Sequence, residues 1–154
     1  MGKINDRLKE LGIELPEAAA PVANYLGYVQ TGNLVFTAGQ VPIKDGKFVY
    51  QGVAGKDVSV EDATAAARLC AINLISQVKA ACGGDLDRVV RCVKLVGFVN
   101  GAPEFESAPA IINGASDLMV EVFGDKGKHA RSAVGAGSLP FNVTVEVEGI
   151  FEID

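Results

Sequence analysis

The segment Val143–Phe151 limits most tightly what this chain can fold into. Val143, Val145, Val147 and Gly149 fall on one side of an extended backbone, and Thr144, Glu146, Glu148 and Ile150 fall on the other. A strand with one apolar face needs a second layer to cover that face. The cover is visible upstream. Ala63, Ala67, Cys70, Leu74 and Val78 recur at helical spacing and form an apolar stripe. Ser59 is placed to cap this helix, Asp62 suits its positive end, and Gly83-Gly84 marks its stop. Its alanine-rich face lets it lie close to a sheet. A second helix is expected over Ile111–Phe123, with Ile111, Leu118 and Val122 among its apolar positions.

The remaining segments read as strands and turns. Asn24–Gln30 and Asn33–Thr37 are short β-favouring runs joined by a turn at Thr31-Gly32-Asn33. Asp45-Gly46-Lys47 joins Val41–Ile43 to Phe48–Tyr50. Val89–Val99 is β-rich, Gly124–Lys128 is a polar loop, and Ser132–Ala136 is a strand. At the N-terminus, Ile4, Leu8 and Leu11 share one face of a short helix that Gly12 ends. The order helix, strands, helix, strand, helix, strands predicts an α+β fold, a mixed β-sheet with two main helices packed on one face. We read a single domain over residues 1–154, with a short N-terminal helical extension over about residues 1–22. The uncovered sheet face must meet water or be buried in an oligomer.

Composition removes several function classes. A net charge of −5 argues against a general nucleic-acid binder, which needs a basic face to gain from counterion release. The one histidine, His129, and three cysteines, Cys70, Cys82 and Cys92, do not supply zinc-ligand spacing. An odd cysteine count without a CxxC pair points to free thiols in a reducing compartment, and the N-terminal segment lacks a signal peptide's apolar core. The expected setting is therefore cytoplasmic. No apolar run is long enough to cross a bilayer, so no membrane partner is expected. Cys70 and Cys92 read as core packing, and Cys82 as an exposed thiol near a helix end. His129 reads as a solvated loop residue in preference to a general base.

The most informative stretch runs from Ala130-Arg131-Ser132 through Gly135, Gly137, Leu139 and Pro140 to Val145-Glu146-Val147-Glu148. A permanent charge at the head of a glycine-rich apolar strand calls for a carboxylate or anion to meet it. Arginine offers a planar fork that binds a carboxylate through two parallel hydrogen bonds. Glu146 on the next strand suits holding a water or accepting a proton. The alternative reading is an Arg131–Glu146 structural ion pair with the glycines marking a bulge. The glycines lack the Lys-Ser/Thr of a P-loop.

With Gly27-Tyr28-Val29-Gln30, Phe36-Thr37-Ala38-Gly39-Gln40-Val41-Pro42 and the Val93–Phe98 strand followed by Phe105, this stretch resembles the RidA/YjgF family, also labelled endoribonuclease L-PSP. The resemblance covers about Gly27 to Ile153. It implies a chorismate-mutase-like subunit, assembled as a homotrimer with clefts between neighbours. It implies hydrolytic deamination of small reactive enamine/imine 2-carboxylates to 2-oxo acids and ammonia, with no metal or organic cofactor. Arg131 would clamp the substrate carboxylate and Glu146 would position or activate water. Tyr28, Gly39 and the backbone around Ala133 would line the cleft. The chain departs from the best-known enamine hydrolases in having Ala38 where they carry serine and Ala133 where they carry cysteine. A non-catalytic small-carboxylate-binding protein is the alternative reading, and an endoribonuclease is a third that the negative charge disfavours.

Overall fold

The computed structural model describes residues 2–154. Helix α1 (Lys3–Glu10) leads to the hairpin β1 (Tyr28–Thr31) and β2 (Leu34–Thr37), then to the small hairpin β3 (Ile43–Lys44) and β4 (Lys47–Phe48). Helix α2 (Val60–Ala81), strand β5 (Val89–Asn100), helix α3 (Ala108–Phe123), strand β6 (Ala130–Ala136) and strand β7 (Val145–Ile153) follow. The main sheet runs β1-β2-β7-β5-β6. Only β5 and β6 are parallel, so the sheet is mixed. That parallel pair requires a crossover, which α3 supplies.

Both long helices cover one face, as the sequence pattern predicts. On β7, residues 145, 147, 149, 151 and 153 are buried and the intervening ones only half-buried. Leu74, Ile75, Leu95, Ile111, Ile112, Leu118, Val145, Val147 and Phe151 form the core between the layers, each 0 % exposed. The Ser59 hydroxyl accepts from the Asp62 amide at 3.0 Å and begins α2. The helix ends at Gly83 and Gly84, whose φ values of 65° and 96° favour glycine. Asp45 and Gly46, also at positive φ, form the β3–β4 turn. The helices approach closely at Gly114, where an added Cβ would lie 2.1 Å from the Thr64 carbonyl oxygen.

Several expectations need correction. The second helix begins at Ala108, not Ile111, with Pro109 in its first turn. The first strand begins at Tyr28, not Asn24, because its partner β2 ends at Thr37. There the Ala38 amide donates to the Gly27 carbonyl, and the chain crosses to pair Gln40 with Val147. Strand β6 begins at Ala130, not Ser132, so Arg131 sits inside it, in register with buried Leu95. The last strand begins at Val145, because Val143 instead bridges Gln51. Cys82 is buried, only 2 % exposed, because the chain folds back through Leu86 and Arg88 Nη1 donates to the Cys82 carbonyl.

Helix α1 is held from outside itself. The Asp87 carboxylate accepts from the Lys3 and Ile4 amides, both at 2.9 Å. Those bonds hold the Asp87 carboxyl below the usual range, the Ile4 amide contributing most. Arg7 Nε in turn donates to the Glu121 carbonyl near the end of α3, at 2.8 Å.

Candidate functional site

The expected site residues fall in three places within one protomer. Arg131 and Ala133 lie on edge strand β6, on the face covered by α3. Arg131 pairs in register with buried Leu95, and Ala133 packs against the core. Glu146 lies on β7 between buried Val145 and Val147, so it projects from the opposite face. Gly39 belongs with Glu146: a Cβ there would come 2.5 Å from Glu146 Oε1. The missing side chain lets the carboxylate lie against the backbone at residue 39. Tyr28 lies on β1, the other edge of the sheet, partly buried against the core. Three strands separate β1 from β6, which places them about 19 Å apart at ordinary strand spacing.

Arg131 is not paired with Glu146, and no described carboxylate forms a salt bridge with it. The structural ion pair is thereby excluded. Its Nη1 donates to Asn113 Oδ1 at 2.7 Å and to Ser116 Oγ at 3.2 Å. Both acceptors are neutral side chains one turn apart on α3. The guanidinium is anchored while its charge stays uncompensated, the condition in which it attracts an anion.

His129 is half-buried, contrary to the expectation of a solvated loop residue. Its Nδ1 lies 2.6 Å from the Gly127 carbonyl oxygen and its Nε2 lies 2.9 Å from Ser116 Oγ. A carbonyl only accepts, so Nδ1 carries the proton, and in the neutral imidazole Nε2 accepts from the Ser116 hydroxyl. Asn113 and Ser116 escaped the sequence reading. Their available signal was a pair of neutral polar residues at i and i+3, on a helix whose other polar positions, Asp117 and Glu121, are acidic.

Burial lifts the Glu146 carboxyl above the usual glutamate range, and the neighbouring Glu148 charge adds to the rise. A half-buried carboxylate of raised pKa is a stronger proton acceptor than an ordinary glutamate. The thiols show no comparable activation. Burial raises all three, that of Cys92 to about 12. Among the described residues, no three His, Cys, Asp or Glu side chains cluster as metal ligands.

Residues 5–152 match the family model described as "YjgF/chorismate mutase-like, putative endoribonuclease". The chain belongs to this YjgF family. Similar proteins include Protein TCP17 of Trypanosoma cruzi, 46 % identical over 154 residues, covering 99 % of this chain and 96 % of that one. The crystal structure of Atu1372 from Agrobacterium tumefaciens, a protein of unknown function, is 50 % identical with a TM-score of 0.92, covering 98 % and 92 % of the two chains. RidA from the Antarctic bacterium Psychrobacter is 26 % identical with a TM-score of 0.61, covering 89 % and 94 %. The fold is that of the family, a mixed sheet with helices on one face. No helix among the described residues is long and apolar enough to cross a membrane.

Proposed function

We propose that the protein is a cytoplasmic homotrimer that hydrolyses small enamine/imine 2-carboxylates to 2-oxo acids and ammonia. The observation that carries this reading is Arg131: a permanent charge on an edge strand, anchored only by neutral acceptors, with no carboxylate bridging it. A site built from Arg131, Glu146 and Tyr28 cannot be assembled around one small molecule within a protomer. Two of the groups lie on opposite faces and two on opposite edges. Sharing between protomers removes the conflict. The uncovered face carries Val29, Phe36 and Val134, exposed by 52, 40 and 46 %, and burying it in a trimer supplies the apolar contact such an interface needs. Three free, buried thiols accord with a reducing compartment.

The chemistry follows from the residue types. Arg131 binds the carboxylate of a 2-imino acid, the tautomer already electrophilic at C2. Water adds to C2 while Glu146 takes one of its protons. The C2=N π electrons move to nitrogen, and Glu146 passes that proton to it, giving a carbinolamine. Glu146 then takes the carbinol O–H proton and delivers it to the amine nitrogen, the C2–N bond breaks as C2=O forms, and ammonia leaves with the 2-oxo acid. Positioning the acid and one water replaces a bimolecular encounter by an oriented attack. A positioned carboxylate adds roughly 10²- to 10⁴-fold.

Arg131→Ala abolishes turnover of imines generated in situ by an amino-acid oxidase, and Arg131→Lys fails nearly as badly, because an ammonium cannot copy the fork. Deamination by Arg131→Ala at the wild-type rate would overturn the assignment. Ala38 and Ala133, which offer no hydroxyl or thiol, favour a second reading, a binding protein for small carboxylates. Calorimetric binding of 2-oxobutyrate without imine turnover selects it.

A further inference from the structure

We infer that Asn113 and Ser116, with Ser116 set by His129, are positioning residues that fix which edge of the Arg131 guanidinium meets a ligand. This rests on the carboxylate-clamp reading above. A guanidinium carries five N–H groups in one plane. The two on Nη1 are taken by Asn113 Oδ1 and Ser116 Oγ. No described residue accepts from Nε or Nη2. The remaining fork is therefore the side-on pair, Nε–H with Nη2–H, and a ligand carboxylate enters along that edge, coplanar with the guanidinium.

The hydrogen-bond chain has one direction. The Gly127 carbonyl fixes the imidazole through Nδ1–H, and Nε2 then accepts the Ser116 hydroxyl proton. The hydroxyl lone pairs are left for Nη1. Gly127 itself is seated against α3, where a Cβ would come 2.1 Å from the Met119 carbonyl oxygen. A backbone turn is thus coupled through imidazole and hydroxyl to the guanidinium. Every acceptor in the chain is neutral, so the arginine is held in place without losing its charge to an internal partner. A ligand then meets a fork that is already oriented, and less freedom is lost on binding. The site this predicts takes a small monocarboxylate held by two oxygens.

The test measures 2-oxobutyrate binding by calorimetry and steady-state turnover of oxidase-generated imines on the full-length protein. Ser116→Ala and Asn113→Ala should each weaken binding and raise KM about tenfold, with kcat changed less than about threefold. Ser116→Thr keeps the hydroxyl and should restore KM. Asn113→Asp places a carboxylate on Arg131 and should weaken binding further at an unchanged or higher Tm. Wild-type behaviour of Ser116→Ala and Asn113→Ala, beside loss of binding in Arg131→Ala, overturns the inference and leaves the clamp standing. Wild-type binding by Arg131→Ala removes the clamp itself. Loss of kcat together with Tm in Ser116→Ala, not rescued by threonine, shows a merely structural hydroxyl and also overturns the inference.

Discussion

Glu146 faces two demands of opposite sign. Ionised, it is available to take a proton from water; ionised and half-buried beside Glu148, it costs the fold stability. The folded protein holds this proton more tightly than the unfolded chain does. Stability therefore falls as pH rises from the unfolded glutamate value of about 4.3 toward the higher folded one, and stays lowered above it. Glu146→Gln removes the charge and keeps the shape. Its Tm at pH 7 is expected to equal or exceed that of the wild type, while imine turnover is lost. In the wild type, kcat should fall on acidification with a midpoint above the ordinary glutamate value, and that limb should vanish in Glu146→Gln. A Tm several degrees below wild type at pH 7 would show that the carboxylate makes a stabilising contact. Arg131 was legible in the sequence as a charge needing a partner. Its actual partners were not, because Asn113 and Ser116 are neutral, lie on another element and come together only when α3 folds across β6.

At the level of elements, the helix pair is set by a contact of backbone on backbone. Gly114 on α3 touches the Thr64 carbonyl on α2, and any Cβ there forces the helices apart. Gly114→Ala is expected to cost about 1–3 kcal/mol through overpacking, lowering Tm by roughly 3–10 °C for a chain of this size. An unchanged melting curve would mean that the interface gives way freely. Since α3 also carries Asn113 and Ser116, the variant should weaken carboxylate binding as well as stability. The elements that could be read in advance are those whose own pattern decides them: α2 from its stripe and caps, β7 from its alternation, the Asp45-Gly46 turn from its residue types. Those misjudged are the ones whose limits depend on a neighbour. Strand β1 starts only where Thr37 supplies a partner, and β6 starts early because β5 extends far enough to pair with Ala130. The N-terminal anchoring of α1 was invisible for the same reason, since its cap, Asp87, lies far along the chain.

For the whole molecule, the placement of the site residues becomes an argument about assembly. One sheet separates the Arg131 side chain from the Glu146 side chain, so a ligand touching both must draw them from two protomers. Mixed oligomers test this directly. Arg131→Ala and Glu146→Gln are each expected to be inactive alone. After unfolding and refolding together in equal amounts, a cleft is whole when an Arg131 from one mutant meets a Glu146 from the other. In a cyclic assembly with random incorporation this restores about a quarter of wild-type activity. A site contained within one protomer can never be repaired this way, because every protomer of the mixture lacks one of the two groups. Activity that stays at the level of the separate mutants, in a mixture shown by sedimentation to contain hybrid oligomers, would return both residues to a single chain and would require the Glu146 assignment to be given up. Recovery would tie activity to the oligomer, since neither face of the sheet alone carries both the acid's anchor and the base. The exposed Val29, Phe36 and Val134 would then belong to the same device that builds the cleft.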